Sequence, residues 1–295
     1  MTRHDSAIAS TLPHELELRT ANGFRLAATR YPAQGALRGR VVVAAATAVP
    51  RGFYRRFANY ASERGFDCLT FDYRGIGGSR PASLKGFRMN LLDWGRQDMA
   101  AAVDAMADGK VPLFVVGHSY AGHGFGLMPN HHKVSGFQVF GTGAAWHGWM
   151  PLADRLKVRL FWHLLGPLTW LLGYCPGKRL MLGEDLPADA FRQWRRWAGM
   201  RHYFFDDPQL PELHEHFAAV TTPIVAVNAL DDAWSLPASR DALMRGYRNA
   251  PITRLDPDPK TFGRPIGHMG YFRQGAEPLW DDMLTWFASL ATPEA

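Results

Sequence analysis

Short, nearly unbroken apolar runs alternate with amphipathic stretches through the first half of the chain. Residues 40–46 and 113–116 are almost continuously apolar, as expected of strands covered by helices on both faces, and residues 66–71 read as a further strand. Residues 53–64 and 91–106 between them carry helical spacing, and residues 134–140 add another strand. Upstream, residues 15–19 alternate charged and apolar side chains, Ala21-Asn22-Gly23 supplies a turn, and residues 24–31 extend again, which is the signature of a hairpin. This order predicts an α/β fold built on a mostly parallel sheet. Residues 145–215 break the rhythm. Residues 156–172 and 188–201 read as helices there, and six of the ten tryptophans fall in this stretch. Alternation returns with a strand at 223–227, a helix at 237–248, a strand at 252–255 and a last helix at 276–290. The pattern therefore divides the chain into a core (1–144 and 216–295) and an insertion (145–215), with residues 1–13 as a loose terminus.

Two motifs turn this pattern into chemistry. The strand ending Val115-Val116-Gly117 runs into His118-Ser119-Tyr120-Ala121-Gly122, a G-x-S-x-A sequence between a predicted strand and a predicted helix. A serine on such a turn has its hydroxyl lifted clear of the sheet, and the turn needs small neighbours. The strand at 66–71 leads into Asp72-Tyr73-Arg74-Gly75-Ile76-Gly77-Gly78-Ser79, a D-x-R-G-x-G-x-S turn whose Asp72 and Arg74 are expected to brace the loop. On these two motifs the chain resembles the α/β-hydrolase superfamily, closest to its serine-nucleophile esterase and lipase-like branch. Ala121 departs from the family's usual glycine. The resemblance implies that 145–215 is a helical lid over the active site.

It also implies a triad in the chain order Ser, Asp or Glu, His. A serine needs a base within hydrogen-bond reach, and the base needs a carboxylate to set its tautomer. Ser119 is the expected nucleophile. His268, in Ile266-Gly267-His268-Met269-Gly270, is the expected base, with Gly267 letting the loop turn the ring toward the serine. For the acid, aligning Ala229 with the glycine of the family's G-x-x-D turn selects Asp232, with Asp231 as the alternative. The oxyanion hole should use the backbone N–H of Tyr120 and one from the loop after residues 40–46. The family's His-Gly is absent there, so Thr47 and Ala48 both remain open. Trp146, Trp149 and Trp234 are candidate substrate contacts, since a tryptophan-rich roof implies an apolar acyl or aromatic group.

Composition narrows the remaining classes. The net charge of +6 comes with no Lys/Arg run of the kind that binds nucleic acid. Residues 151–201 hold nine Lys/Arg against four Asp/Glu, so lid docking to a membrane surface is a third reading beside catalysis and ligand binding. Two cysteines make no disulfide framework, no histidine pair has metal-ligand spacing beside a carboxylate, and the first twenty residues lack an apolar core. The expectation is a cytoplasmic serine hydrolase without metal or cofactor. An acyltransferase, thioesterase or C–C hydrolase, or a non-catalytic binding module on the same fold, remains the alternative.

Overall fold

A computed structural model describes residues 12–291, so the expected loose terminus lies almost wholly outside the described residues. In chain order the elements are β1 (His14–Arg19), β2 (Arg25–Tyr31), β3 (Gly39–Ala44), α1 (Arg55–Ser62), β4 (Phe66–Phe71), α2 (Ala100–Met106), β5 (Leu113–His118), α3 (Ala121–Gly124) and β6 (Gly136–Phe140). Next come α4 (Leu152–Leu172), β7 (Tyr174–Cys175), β8 (Leu186–Pro187) and α5 (Ala188–Ala198), with α6 (Leu213–Ala218) straddling the expected end of the insertion at 215. The core then resumes with β9 (Ile224–Val227), α7 (Pro237–Met244), β10 (Ile252–Leu255), α8 (Pro259–Phe262) and α9 (Glu277–Ala291).

Eight strands form one sheet in the order β1-β2-β4-β3-β5-β6-β9-β10, parallel from β4 onward, with β1 and β2 antiparallel at one edge. Every residue of β4, β5, β6 and β9 is buried, as expected of strands covered by helices on both faces. Phe114 stacks on Phe287 of α9 on one face. Phe137, paired with Val115, stacks on Phe125 on the other. After β3 the chain crosses to β4 on one side, and β5 then docks on the other side of β3. The carboxyl ends of β3 and β5 thus flank a switch point, where α/β sheets place ligands.

Two helices depart from the sequence reading. Residues 91–106 begin with a π-helical turn, Trp94–Met99, before α2. The buried Asp98 on this turn receives the Arg74 backbone N–H at 2.9 Å and its Nε–H at 2.8 Å, while Trp94 donates to the Arg74 carbonyl at 3.1 Å. Tertiary pairing with the 72–79 turn thus resets the local helical geometry. α4 begins at Leu152, four residues before the expected helix, and runs unbroken through Gly166-Pro167. Proline costs a helix its bond to the carbonyl four residues earlier. Here that residue, His163, is on the exposed side, where water can satisfy it. Gly166 lets Arg195 of α5 close in, since a Cβ there would sit 2.1 Å from the guanidinium. Among the described residues no helix is long and apolar enough to cross a membrane.

Candidate active site

Ser119 sits at the end of β5 with φ +52°, a left-handed conformation that costs energy for any side chain but glycine's. Its N–H is held by the Phe140 carbonyl at 2.8 Å. The turn closes because its neighbours are small. A Cβ on Gly117 would meet the Ala121 Cβ and the Phe137 ring at 2.8 Å, and one on Gly122 would meet Thr142 at 2.1 Å. Alanine is tolerated at 121 because Gly117 leaves room for its methyl group.

His268 comes from the loop between α8 and α9, across 149 residues of sequence, and its Nε2 lies 3.0 Å from the Ser119 Oγ. Its Nδ1 lies 3.0 Å from both oxygens of Asp232. With Nδ1–H given to the carboxylate, Nε2 is left as the acceptor for the serine hydroxyl. Asp232 is fully buried and well supplied with donors: the Trp234 and Ser235 amides at 3.2 and 3.1 Å, and the Tyr271 hydroxyl at 3.0 Å. Burial, reinforced by the Asp232 charge, pushes the Tyr271 hydroxyl well above its usual range, so it stays a donor. Asp231 has a different task. It accepts the Ile266 and Gly267 amides at 2.9 and 3.0 Å and so pins the loop that carries His268. Gly267 adopts φ +53° at the bend, as the turn toward the serine requires.

A second chain of contacts, invisible in the sequence, joins the three loops. The Ala46 N–H donates to the Tyr54 hydroxyl at 2.8 Å, which bonds His118 Nδ1 at 2.9 Å, and His118 Nε2 reaches the His268 carbonyl at 2.8 Å. His118 therefore carries its proton on Nε2. Burial drives its pKa down to about 3, with the neighbouring His268 adding to the shift, so the ring is neutral throughout the ordinary pH range. His123, stacked on Tyr203 with its Nε2 on the Gly143 carbonyl, is likewise pushed down to about 4 by burial.

The cavity above Ser119 measures about 370 Å³. Thr47, Tyr120, His268 and Trp234 line it, together with Met181, Leu182, Trp194 and Tyr203 from the insertion; no carboxylate does. Ala48 does not line it; with φ +61°, its carbonyl accepts the Glu184 amide at 2.8 Å, tying the β3 loop to the insertion. No hydrogen bond engages the Thr47 or Tyr120 amide within the described residues. Of the three tryptophans expected around substrate, only Trp234 lines this cavity. Trp146 and Trp149 pack edge to face on each other, and Trp149 donates to the Arg201 carbonyl at 3.0 Å. Those bonds brace the start of the insertion against residue 201 and keep both rings off the cavity wall. Trp194 and Tyr203 stand there in their place.

Solved structures share this architecture. A soluble variant of monoglyceride lipase from Saccharomyces cerevisiae, bound to a substrate analog, superposes with a TM-score of 0.70 at 15% identity, covering 99% of this chain and 100% of the other. A thermophilic esterase from Thermogutta terrifontis gives 0.58 at 14% identity, covering 95% and 100%. An esterase from Pyrococcus furiosus gives 0.57 at 13%, covering 94% and 91%. No curated protein matches the sequence. A profile of the Alpha/beta hydrolase family matches residues 31–288, which spans the sheet from the end of β2, the turn at Ser119 and the loop of His268; the chain belongs to that family.

Proposed function

We propose that this protein is a serine hydrolase that cleaves a carboxylic ester with an apolar acyl or aromatic group, through an acyl-enzyme on Ser119. The observation that carries the reading is the unbroken 3.0 Å relay from Ser119 through His268 to a buried, fully solvated-by-protein Asp232. The Ser119 Oγ attacks the ester carbonyl carbon as its proton passes to His268 Nε2. The oxyanion that forms is received by the Tyr120 and Thr47 amides, donors each worth about 3–4 kcal/mol where such holes have been measured. His268 then returns its proton to the departing alcohol oxygen as the C–O bond breaks. A water, deprotonated by the same imidazole, attacks the acyl carbon and releases the acid, restoring the serine hydroxyl. Asp232 holds the tautomer and stabilises the imidazolium in both halves.

Trp194, Tyr203, Met181 and Leu182 make residues 145–215 a lid whose inner face is apolar, matching the substrate class. The esterase and lipase names of the structural neighbours agree with ester cleavage. The buried free thiols of Cys68 and Cys175 fit a cytoplasmic setting. The test is labelling of the folded protein with a fluorophosphonate, wild type beside Ser119→Ala and His268→Ala. Labelling of the wild type and its loss in both variants is the expected result. A folded wild type that takes no label would instead support a binding module on this fold.

A further inference from the structure

The longest helix of the insertion turns an apolar side outward. At about 100° per residue, Leu152, Leu156, Leu160, Leu164, Trp170 and Leu171 of α4 fall within an arc of about 120°. They are between 57% and 80% exposed. Val158, Trp162, Leu165 and Thr169 point the opposite way and are buried. Ala153, His163 and Pro167 share the outer arc, and no carboxylate does. Lys157 borders the arc on one side and Arg159 on the other, both exposed. Lys157 bonds Asp154 at 3.0 Å, whereas Arg159 has no ion pair among the described residues. So continuous an exposed apolar strip marks an interaction surface.

We propose that the outer face of α4 docks onto an anionic lipid surface, with the helix lying in the plane of the headgroups. A leucine strip edged by cations, with a tryptophan near one end, has the makeup of an interfacial helix: the apolar side sinks below the headgroups while the cations meet lipid phosphates. A span is not an option, given that no described helix qualifies. A second copy of the chain fits less well, because a self-complementary seam would set the Lys157 and Arg159 borders of two copies against each other. The same insertion carries Met181, 94% exposed, and Leu182, and both also line the Ser119 cavity. The docking face and the cavity mouth thus belong to one segment. If the reading of Ser119 above holds, on which this last step rests, the substrate is an ester dissolved in or adsorbed to that lipid surface.

The test is co-sedimentation of the whole protein with vesicles of phosphatidylcholine containing phosphatidylglycerol, and with vesicles of phosphatidylcholine alone. The proposal expects wild type and Ser119→Ala to pellet alike with the anionic vesicles. Binding should fall at least about tenfold in the triple variant L156S/L160S/L164S and in K157E/R159E, and weaken with salt. Fluorophosphonate labelling and hydrolysis of a water-soluble ester should stay as in wild type, which shows that both variants fold. Wild type that stays in the supernatant with both vesicles, or a triple variant that pellets as wild type does, overturns the proposal. So does a wild-type dimer in sedimentation velocity that the triple variant converts to monomer, since the strip would then be a seam between copies. Because Ser119→Ala is expected to bind lipid fully, failed labelling and failed docking are separate results.

Discussion

The loops that hold Ser119, Asp232 and His268 and the insertion that covers them solve opposite problems with the same residue types. In the core, each polar group of the relay is tied down by a named partner: Asp232 by four donors, the His268 loop by Asp231, the Ser119 amide by Phe140. In the insertion, large apolar groups are left outside, from Leu152 at the start of α4 to Met181 at the cavity mouth. A nucleophile and base must keep their separation within a fraction of an ångström. A surface that admits an apolar substrate must instead expose what the core hides, and it accepts the hydration cost of doing so. On the proposed reading, chemistry and admission fall to separate parts of the chain, which the β3 loop joins through the Ala48–Glu184 bond.

If that division holds, variants in the two regions should fail differently. The largest effect belongs to the core: Asp232→Asn should lower kcat by roughly 10⁴-fold by fixing the wrong tautomer of His268. Asp231→Asn, which only loosens the loop, should cost about tenfold. Steady-state kinetics on a soluble ester compares the two, and equal losses would erase the distinct roles given to these neighbours.

Next comes acid stability. His118 and His123 have folded pKa values of about 3 and 4, below the unfolded value near 6.5. The unfolded chain therefore binds more protons below pH 6.5, and stability is lost as pH falls from there toward those values. At pH 5 the loss should be about 2 kcal/mol for each ring. Urea melts between pH 7 and 5 measure it, and the drop should shrink in His118→Gln.

Smaller still, Tyr271→Phe removes one donor to Asp232 and leaves the Ala229 amide without its acceptor, and should lower kcat about tenfold. In the insertion, Trp194→Ala should raise KM several-fold for apolar esters with kcat nearly unchanged, the mark of lost uniform binding. Trp146→Ala should leave both constants within about twofold. A Trp146→Ala defect as large as that of Trp194→Ala would return the 146–149 turn to the substrate.

Much of the fold and of the site is legible in the residue order, and what is not has a physical cause. Buried strands announce themselves by short, largely apolar runs between turn residues, so β3 to β6 and the serine turn could be placed from residue order alone. The family resemblance then supplied His268. The alignment of Ala229 favours Asp232 but leaves Asp231 open, because neighbouring residues on a turn differ only in where they point, and that is set by the Trp234 and Ser235 amides. Trp146 and Trp149 carry the same signal as Trp194, since composition records how many rings a segment has and not which wall they face. The tie made by His118 has no mark in the sequence because its partners, Tyr54 and the His268 carbonyl, lie 64 and 150 residues away. The outward strip on α4 was hidden for the opposite reason: its leucines and the inward-facing ones form one apolar stretch, and only burial tells the two sides apart.

The central claim is that an ester passes its acyl group to Ser119. Mixing the protein with a chromogenic ester, quenching in acid within the first turnovers and mapping peptides by mass spectrometry tests it directly. The expected result is a pre-steady-state burst of alcohol matched by an acyl adduct on the peptide containing Ser119, both absent in Ser119→Ala. Turnover that persists in that variant, or an acyl group found on a different residue, would contradict it.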